Sequence, residues 1–226
     1  MRELCRFRYE TYVEQYGFQP KTADHVKREL KDPVDDWSEN FAIVKGHCVL
    51  GSLRISRLCD CPEKQRFLRR FDMYSALDEF GETAIGISSR FIVRPRFDAM
   101  REMRNLIKIG FQYCRDNEFR VLYGDCGLDL IGFYRRLGYR PYTKPFHDES
   151  FGLKYPIILV GRDKEFLQQV NSPLAPLISP LEDDDAARKW FERNWEKGEA
   201  EVMKEYESRL QCQSSMSPTN AAEVGQ

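Results

Sequence analysis

The sequence has almost no net charge and no long apolar run, and each absence removes a class of function. Its 226 residues carry 35 basic and 36 acidic side chains, for a formal net charge of -1. No overall positive field therefore attracts nucleic acid. No apolar segment approaches the roughly 18 residues that a membrane-spanning helix needs. The stretch MRELCRFRYETYV is charged throughout and lacks the apolar centre of a secretion signal. We expect a cytoplasmic protein that does not bind nucleic acid.

Cysteine and histidine are too scattered to form a disulfide framework or a metal site. The seven cysteines are an odd number at irregular spacing, with one tight pair at Cys59 and Cys61. No second pair follows at zinc-ligand spacing, and His25, His47 and His147 lie far apart along the chain. We expect reduced thiols, no metal and no permanently bound cofactor.

The balance of residue types is that of a globular protein. Hydrophobic residues make up 42% of the chain and charged residues 31%. The length suits one well-buried domain. Three proline residues indicate a linker after the last predicted strand: Pro173, Pro176 and Pro180. We predict one domain over 1–178, a charged amphipathic helix over 179–210 and a disordered tail over 211–226.

Apolar periodicity predicts alternating helices and strands. The predicted helices cover 2–16, 63–79, 98–116 and 128–137, and the predicted strands cover 41–45, 48–56, 84–93, 119–124, a segment entered at 138–139, and 155–160. This order predicts a mixed α/β fold with a central sheet flanked by helices. The C-terminal helix carries one apolar stripe, formed by Ala187, Phe191, Trp195, Val202, Tyr206 and Leu210. That stripe packs either on its own domain or against a partner, such as a second copy in a homodimer.

Residues 133–139, FYRRLGY, resemble the last motif of the GNAT acyltransferases, in which a helical tyrosine precedes a glycine and an aromatic residue. The predicted strand, helix and strand before the motif follow the GNAT order. The resemblance implies a GNAT fold and a general-acid role for Tyr134, whose hydroxyl would protonate the departing pantetheine sulfur. A tyrosine titrates near 10 and so remains protonated. The alternative is a tyrosine that only packs.

Further segments narrow the resemblance to long-chain N-acyl amino acid synthases and acyl-homoserine lactone (autoinducer) synthases. They include Arg8 to Tyr12, Asp32 to Trp37, GSLR at 51–54 and SRFIV at 89–93. The resemblance implies transfer of a fatty acyl group from a pantetheine thioester to the amine of an amino acid or related small molecule. An autoinducer synthase that uses S-adenosylmethionine is an alternative, although Ile87 replaces a glutamate of that group. A non-catalytic module that binds acyl groups or a partner is a third reading.

The same resemblance implies which residues bind the substrate and which stabilise the oxyanion. Backbone N–H groups from Phe91 to Val93 would stabilise the oxyanion at a splay in the central strand. The substrate-binding set implied by the resemblance is Arg8, Asp35, Asp36, Trp37, Arg54 and Arg90. Arg54 and Arg90 lie within predicted strands, where a cation needs a partner. They either clamp a substrate carboxylate or form internal ion pairs, for instance with Asp35 or Asp36.

Basic residues gather where the thioester would enter. The predicted donor-binding set is Arg94, Arg96, Arg101, Arg104 and Lys108. The segment 94–99 contains no glycine, which disfavours a backbone cradle for the diphosphate of coenzyme A. We therefore expect acyl carrier protein, which is acidic, as the partner that donates the acyl group, with acyl-CoA as the alternative donor. A solvated basic face is the alternative.

Overall fold

A computed structural model describes residues 1–95, 99–179 and 185–215 of the chain, with side chains up to residue 211. The helices are α1 (Arg2–Tyr9), α2 (Lys64–Arg70), α3 (Tyr74–Phe80), α4 (Ala99–Asp116), α5 (Ile131–Leu137), α6 (Lys164–Gln169) and α7 (Asp185–Ser215). The strands are β1 (Ala23–Asp24), β2 (Glu29–Leu30), β3 (Ser38–Lys45), β4 (Cys48–Arg57), β5 (Ile85–Val93), β6 (Val121–Cys126), β7 (Tyr139–Pro141), β8 (Phe146–Asp148) and β9 (Gly152–Val160). The mixed α/β class is therefore confirmed.

Within the described ranges, the main sheet has seven strands in the order β3-β4-β5-β6-β9-β7, with β8 paired to β9. All of its pairs are antiparallel except β5 with β6. The predicted hairpin between β3 and β4 is confirmed, and its turn places Gly46 at a φ of 61°. This left-handed conformation is one that glycine adopts without steric cost.

Several elements differ from the sequence prediction. The first helix changes pitch and continues as a π-helix over Glu10–Gln15. The segment predicted as one helix over 63–79 is two helices, because Asp72 between them has a φ of 47°. The small strands β1, β2 and β8 and the short helix α6 carry too few periodic residues to be predicted.

The sheet separates two apolar layers, as alternation along its strands requires. On one face, α4 and α5 cover Leu53, Ile55 and Leu122. On the other face, α2, α3 and α7 cover residues that include Ile87 and Tyr123. Helix α4 lies close to β4: a Cβ atom on Gly110 would stand 2.4 Å from the Leu53 side chain.

Helix α7 docks on its own domain through most of the predicted stripe. Ala187, Phe191 and Val202 are buried, as is Trp190, whereas Leu210 is 44% exposed. The helix continues to Ser215, so residues 211–215 are helical where a disordered tail was predicted. The rest of that predicted tail, 216–226, lies outside the described residues. Of the two alternatives for the stripe, packing on its own domain is the one observed. A homodimer stays a prediction.

The described helices include none long and apolar enough to cross a membrane. Six described cysteines are all unpaired, and the described part of the chain brings together no group of three potential metal ligands.

Candidate active site

The central strands β5 and β6 separate halfway along their length. Their last parallel pair is Ile87 with Tyr123. From there β6 follows β9 as far as Cys126, while β5 follows β4 as far as Val93. The backbone edges that face each other across this gap are not joined by strand pairing. The splay expected near the end of β5 is therefore present, and it opens a cleft through the sheet.

A β-bulge at Arg90 shapes the β5 side of the gap. Arg90 has a φ of 55°, and the pairing of β5 with β4 shifts by one residue there. The Arg90 carbonyl accepts a 2.9 Å hydrogen bond from the Ser52 hydroxyl on β4. Since C=O and N–H point in opposite directions across a trans peptide, the next amide, that of Phe91, points away from β4.

The amide of Val93 has the same orientation. The neighbouring Arg94 amide donates to the Leu50 carbonyl on β4 at 2.7 Å. Alternate amides of a strand face opposite edges, so the Val93 N–H faces the gap. The structure therefore brings both predicted oxyanion donors, Phe91 and Val93, to the open edge.

The cleft has a volume of about 1850 Å³ and presents different chemistry on its two sides. On the α4 and α5 side it is lined by apolar residues, among them Leu53, Phe91, Met103, Ile107, Phe111 and Phe133. The extra residue of the bulge turns Arg90 to the opposite side, where charged residues line the cleft, among them Asp32, Arg54, Arg70, Asp125 and Lys154. The cleft is thus mainly apolar on one side of the sheet and more strongly charged, or ionic, on the other.

Three arginines and two carboxylates form one ion-pair network beneath the ionic side. Arg8 contacts Asp35 at 2.7 Å, and Arg54 contacts Asp32 at 2.9 Å and Asp35 at 3.0 Å. Arg90 reaches Asp32 at 2.6 Å. The ion-pair alternative for Arg54 is thus realised with Asp35, and Asp32 is the partner that both strand arginines share. With three cations against two anions, the network keeps one excess positive charge.

The arginines control the charge of Asp32. Although burial alone would raise the pKa of this carboxyl group, Arg90 and Arg54 hold it at about 2. The Arg90 guanidinium also lies against the rings of Tyr12 and Phe151, 4.9 Å from each centroid. These aromatic faces hold the cation at the wall of the cleft.

Four residues of the predicted substrate set do not line the cleft. Arg8 and Asp35 are fully buried in the network behind the wall. Asp36 is exposed, pairs with Lys31 at 2.6 Å and is not brought to the cleft, so its contact with substrate stays a prediction. Trp37 packs edge-on against Phe67, with ring centroids 5.8 Å apart. Of the predicted set, Arg54 and Arg90 reach the cleft.

Tyr134 stands on the apolar side of the gap. Its ring contacts Phe91, Phe133 and Tyr139, with centroid distances of 6.5, 5.3 and 5.6 Å. Burial, followed by the nearby Cys126, raises the pKa of its hydroxyl well above the usual value. The hydroxyl is therefore protonated at neutral pH. Its helix ends at Gly138 with a φ of 107°, which matches the glycine of the predicted motif.

Comparison with known proteins assigns the family. A sequence model of the N-acyl amino acid synthase FeeM matches residues 3–163, which include the splayed strands and the ion-pair network. The chain belongs to the FeeM family of N-acyl amino acid synthases. It is thus an acyltransferase that acts on an amine. A search of curated protein sequences finds no match.

Solved structures agree with this fold at low sequence identity. FeeM itself, an N-acyl amino acid synthase from uncultured soil microbes, has a TM-score of 0.55 at 15% identity, covering 74% of this chain and 93% of that one. A CoA-dependent acyl-homoserine lactone synthase, BjaI with SAM and isopentyl-CoA, has a TM-score of 0.57 at 16% identity, covering 76% and 82%. TofI, in a complex with an inhibitor and MTA, has a TM-score of 0.56 at 18% identity, covering 80% and 90%.

The basic residues predicted for the donor side of this N-acyl amino acid synthase differ in their surroundings: two form ion pairs, and two others are exposed on α4. The Arg94 side chain packs against the N-terminal helical segment, where it pairs with Glu10 and lies 4.9 Å from the centroid of the Phe7 ring. Arg101 pairs with Glu102 at 2.9 Å. Arg104 and Lys108 are exposed on α4. Arg96 lies outside the described residues.

Sequence reasoning missed several charged residues of the cleft, among them Asp125 and Arg70. Asp125 lies near the end of a strand that was predicted only as far as residue 124. Arg70 lies on a predicted helix, where a charged residue is common and does not indicate a functional site. The structure brings them together, with Arg70 Nη2 3.5 Å from Asp125 Oδ2.

Proposed function

We propose that this acyltransferase moves a long acyl chain from acyl carrier protein to the amine of an amino acid or a similar amine that bears a carboxylate. The observation that carries the proposal is the cleft through the sheet, apolar on one side and ionic on the other. A fatty acyl chain and a charged acceptor can enter such a cleft from opposite sides, with the reacting carbonyl between them.

The apolar side suits the acyl chain. Met103 and Ile107 of α4, together with Phe133 of α5, line the cleft beside Leu53. Each methylene that leaves water for such a surface stabilises the complex by about 0.8 kcal/mol. Gly110 lets α4 lie close to β4 on this side, since a Cβ atom there would stand 2.4 Å from the Leu53 side chain.

The gap between the strands suits the reacting carbonyl. The amides of Phe91 and Val93 would donate hydrogen bonds to the oxyanion that forms when the amine attacks the thioester. When the C–S bond breaks, Tyr134 would give its hydroxyl proton to the thiolate and recover a proton from the nitrogen. The raised pKa of Tyr134 keeps that proton on the hydroxyl until the thiolate forms.

The ionic side suits a carboxylate on the acceptor. The network of Arg8, Arg54 and Arg90 with Asp32 and Asp35 has one excess positive charge, and Arg90 presents it at the cleft wall. A guanidinium pairs well with a carboxylate. Uptake of S-adenosylmethionine in the manner of autoinducer synthases is less well supported, because Ile87 is a core residue, 3% exposed, where that resemblance implies a carboxylate.

Two features support acyl carrier protein as the donor. Arg104 and Lys108 offer exposed positive charge on α4, close in sequence to the cleft residues Met103 and Ile107. The segment 94–99 has no glycine to cradle the diphosphate of coenzyme A. A cytoplasmic location belongs to the same proposal, because the unpaired described cysteines fit a reducing compartment.

The test is product formation by the purified protein. Palmitoyl-acyl carrier protein or palmitoyl-CoA is incubated with the twenty common amino acids, and the reaction is analysed by mass spectrometry. We expect a mass equal to acyl plus amine minus water, formed faster from the carrier protein. Intact thioester would leave an acyl-binding module, and hydrolysis to palmitate alone would indicate a thioesterase. Either result would overturn the proposed function.

A further inference from the structure

A carboxylate with no role in the oxyanion or leaving-group chemistry faces the gap. Asp125 follows the last parallel pair by two residues and lines the cleft. Alternation along β6 puts it on the face of Tyr123, opposite Leu122. That is the ionic side, where Arg90 also lies. Asp125 is thus a partly buried anion, with its side chain 24% exposed, at the point where an acceptor on the ionic side would meet the thioester.

Asp125 is incompletely paired. Arg70 stands 3.5 Å away and makes its closer contact, 2.8 Å, with Asp148. The other charged groups that act on Asp125 are Lys154 on β9 and Arg90 on β5. Burial raises the pKa of Asp125 in spite of the three cations, and the Asp148 charge adds to the increase. In this setting burial disfavours the charged form of the carboxyl group, so that taking up a proton is favourable.

We propose that Asp125 binds the ammonium group of the acceptor and takes its proton, and so serves as the general base of the reaction. This inference rests on the proposed function. The acceptor ammonium gives one proton to the Asp125 carboxylate and becomes a neutral amine. The amine nitrogen then forms the C–N bond at the thioester carbonyl, and the C–S bond breaks as the oxyanion collapses. The nitrogen loses its second proton toward the thiolate through Tyr134, and protonated Asp125 releases its proton to solvent.

The acceptor class follows from these positions. Asp125 selects a primary or secondary amine that is protonated in solution, and Arg90 offers its positive charge to a carboxylate on the same side of the sheet. An α-amino acid carries both groups. An amine without a carboxylate would keep the contact with Asp125 and lose the contact with Arg90, so it should be a poorer acceptor.

The test compares the pH dependence of the wild type with that of Asp125→Asn. With the best amino acid acceptor of the wild type, kcat/KM of the variant at pH 7 should fall by about a hundredfold to ten-thousandfold. Because the variant depends on amine that is already neutral, its kcat/KM should then rise about tenfold per pH unit up to the pKa of the acceptor. The wild type should remain flat over that range. Asp116→Asn, at an exposed position on α4, is the matched control and should behave as the wild type.

The outcomes separate the two proposals. A wild type that forms no acyl-amine overturns the proposed function and this inference with it. A wild type that forms the product, with an Asp125→Asn variant of equal rate and equal pH profile, overturns only the role of Asp125. A loss that is the same at every pH also overturns the base role, because it would assign Asp125 to binding geometry. Asp125→Glu should restore the flat profile, and Asp125→Ser serves the same comparison if the asparagine variant does not fold.

Discussion

The Ser52 hydroxyl holds the carbonyl of Arg90 at 2.9 Å across the β4–β5 pair. Arg90 is a non-glycine residue with a φ of 55°, a conformation that persists only where its surroundings fix it. The Ser52 hydrogen bond on the main chain and the Asp32 ion pair on the side chain supply that constraint. The same bulge turns the Phe91 amide toward the gap and the Arg90 guanidinium toward the ionic side.

Removing the Ser52 hydroxyl should therefore misplace the oxyanion donors without removing them. We expect Ser52→Ala to lower kcat by about tenfold, less than the hundredfold or more that follows loss of a donor. The KM for the acceptor should change little, because Arg90 keeps Asp32. Steady-state kinetics measure both constants. Ser38→Ala, which removes a hydroxyl at the edge of the same sheet, is the control. A kcat equal to that of the wild type would show that the bulge needs no such anchor.

Tyr134→Phe should lower turnover by about ten- to a thousandfold, because the thiolate would then leave without a proton donor. The ring contacts with Phe91, Phe133 and Tyr139 do not involve the hydroxyl, so the melting temperature should stay close to that of the wild type. Tyr74→Phe, at an exposed position on α3, controls for loss of a tyrosine hydroxyl. An unchanged rate would leave Tyr134 as a packing residue.

Asp32 should make stability depend on acid pH. Its pKa in the fold is about 2, below the ordinary 3.8. The charged form is therefore favoured by folding, so its stabilisation is present above pH 4 and is lost as the pH falls toward 2. A shift of this size corresponds to about 2 kcal/mol of unfolding free energy. Urea unfolding of the wild type from pH 5 to pH 2 should show the loss.

The variant Asp32→Asn identifies the group responsible. It leaves Arg90 without its carboxylate partner, so we expect a loss of about 3 kcal/mol at pH 7 and a weaker decline of stability below pH 4. Asp36→Asn, at the exposed aspartate on the same turn, should change stability by no more than about 0.5 kcal/mol. If Asp32→Asn declined between pH 4 and pH 2 as steeply as the wild type, another carboxylate would be responsible.

The sequence predicts the order of the large elements because each carries its own periodicity. Helix α4 and strands β4 and β5 are long enough for an apolar pattern to decide their type, and FYRRLGY marks the helix of Tyr134. Arg54 and Arg90 are also informative in sequence, since a cation in a predicted strand needs a partner. The identity of that partner could not be read, because Asp32, Asp35 and Asp36 lie on one short turn whose orientation depends on packing.

The rest of the site depends on where chain segments meet. Asp125 and Arg70 are 55 residues apart in sequence, and neither has a local pattern that indicates a cleft. The bulge at Arg90 is likewise a property of two strands together, since one strand alone shows nothing unusual.

Helix α7 also contacts the elements around the site. Tyr206 lies against Gly132 in the helix of Tyr134, and Glu205 accepts a 2.9 Å hydrogen bond from the Tyr155 hydroxyl.

Charge reversal on α4 tests the carrier-protein surface. Arg101 is already paired with Glu102, so the informative change is Arg104→Glu with Lys108→Glu, both at exposed positions. An acidic carrier protein would meet repulsion there, and we expect KM for octanoyl-acyl carrier protein to rise about tenfold at low salt. Because exposed charges are screened within roughly 10 Å at 0.1 M salt, the difference from the wild type should shrink as salt is added.

The same variant should use octanoyl-pantetheine as well as the wild type does, because this donor carries neither the acidic protein nor a phosphate. Lys197→Glu with Lys204→Glu makes the same change of charge at exposed positions of α7 and should leave both KM values unaltered. Equal KM for the carrier-protein donor in all three proteins, with equal salt response, would show that α4 does not dock it. An equal rise in both double variants would point to net charge rather than to a surface on α4.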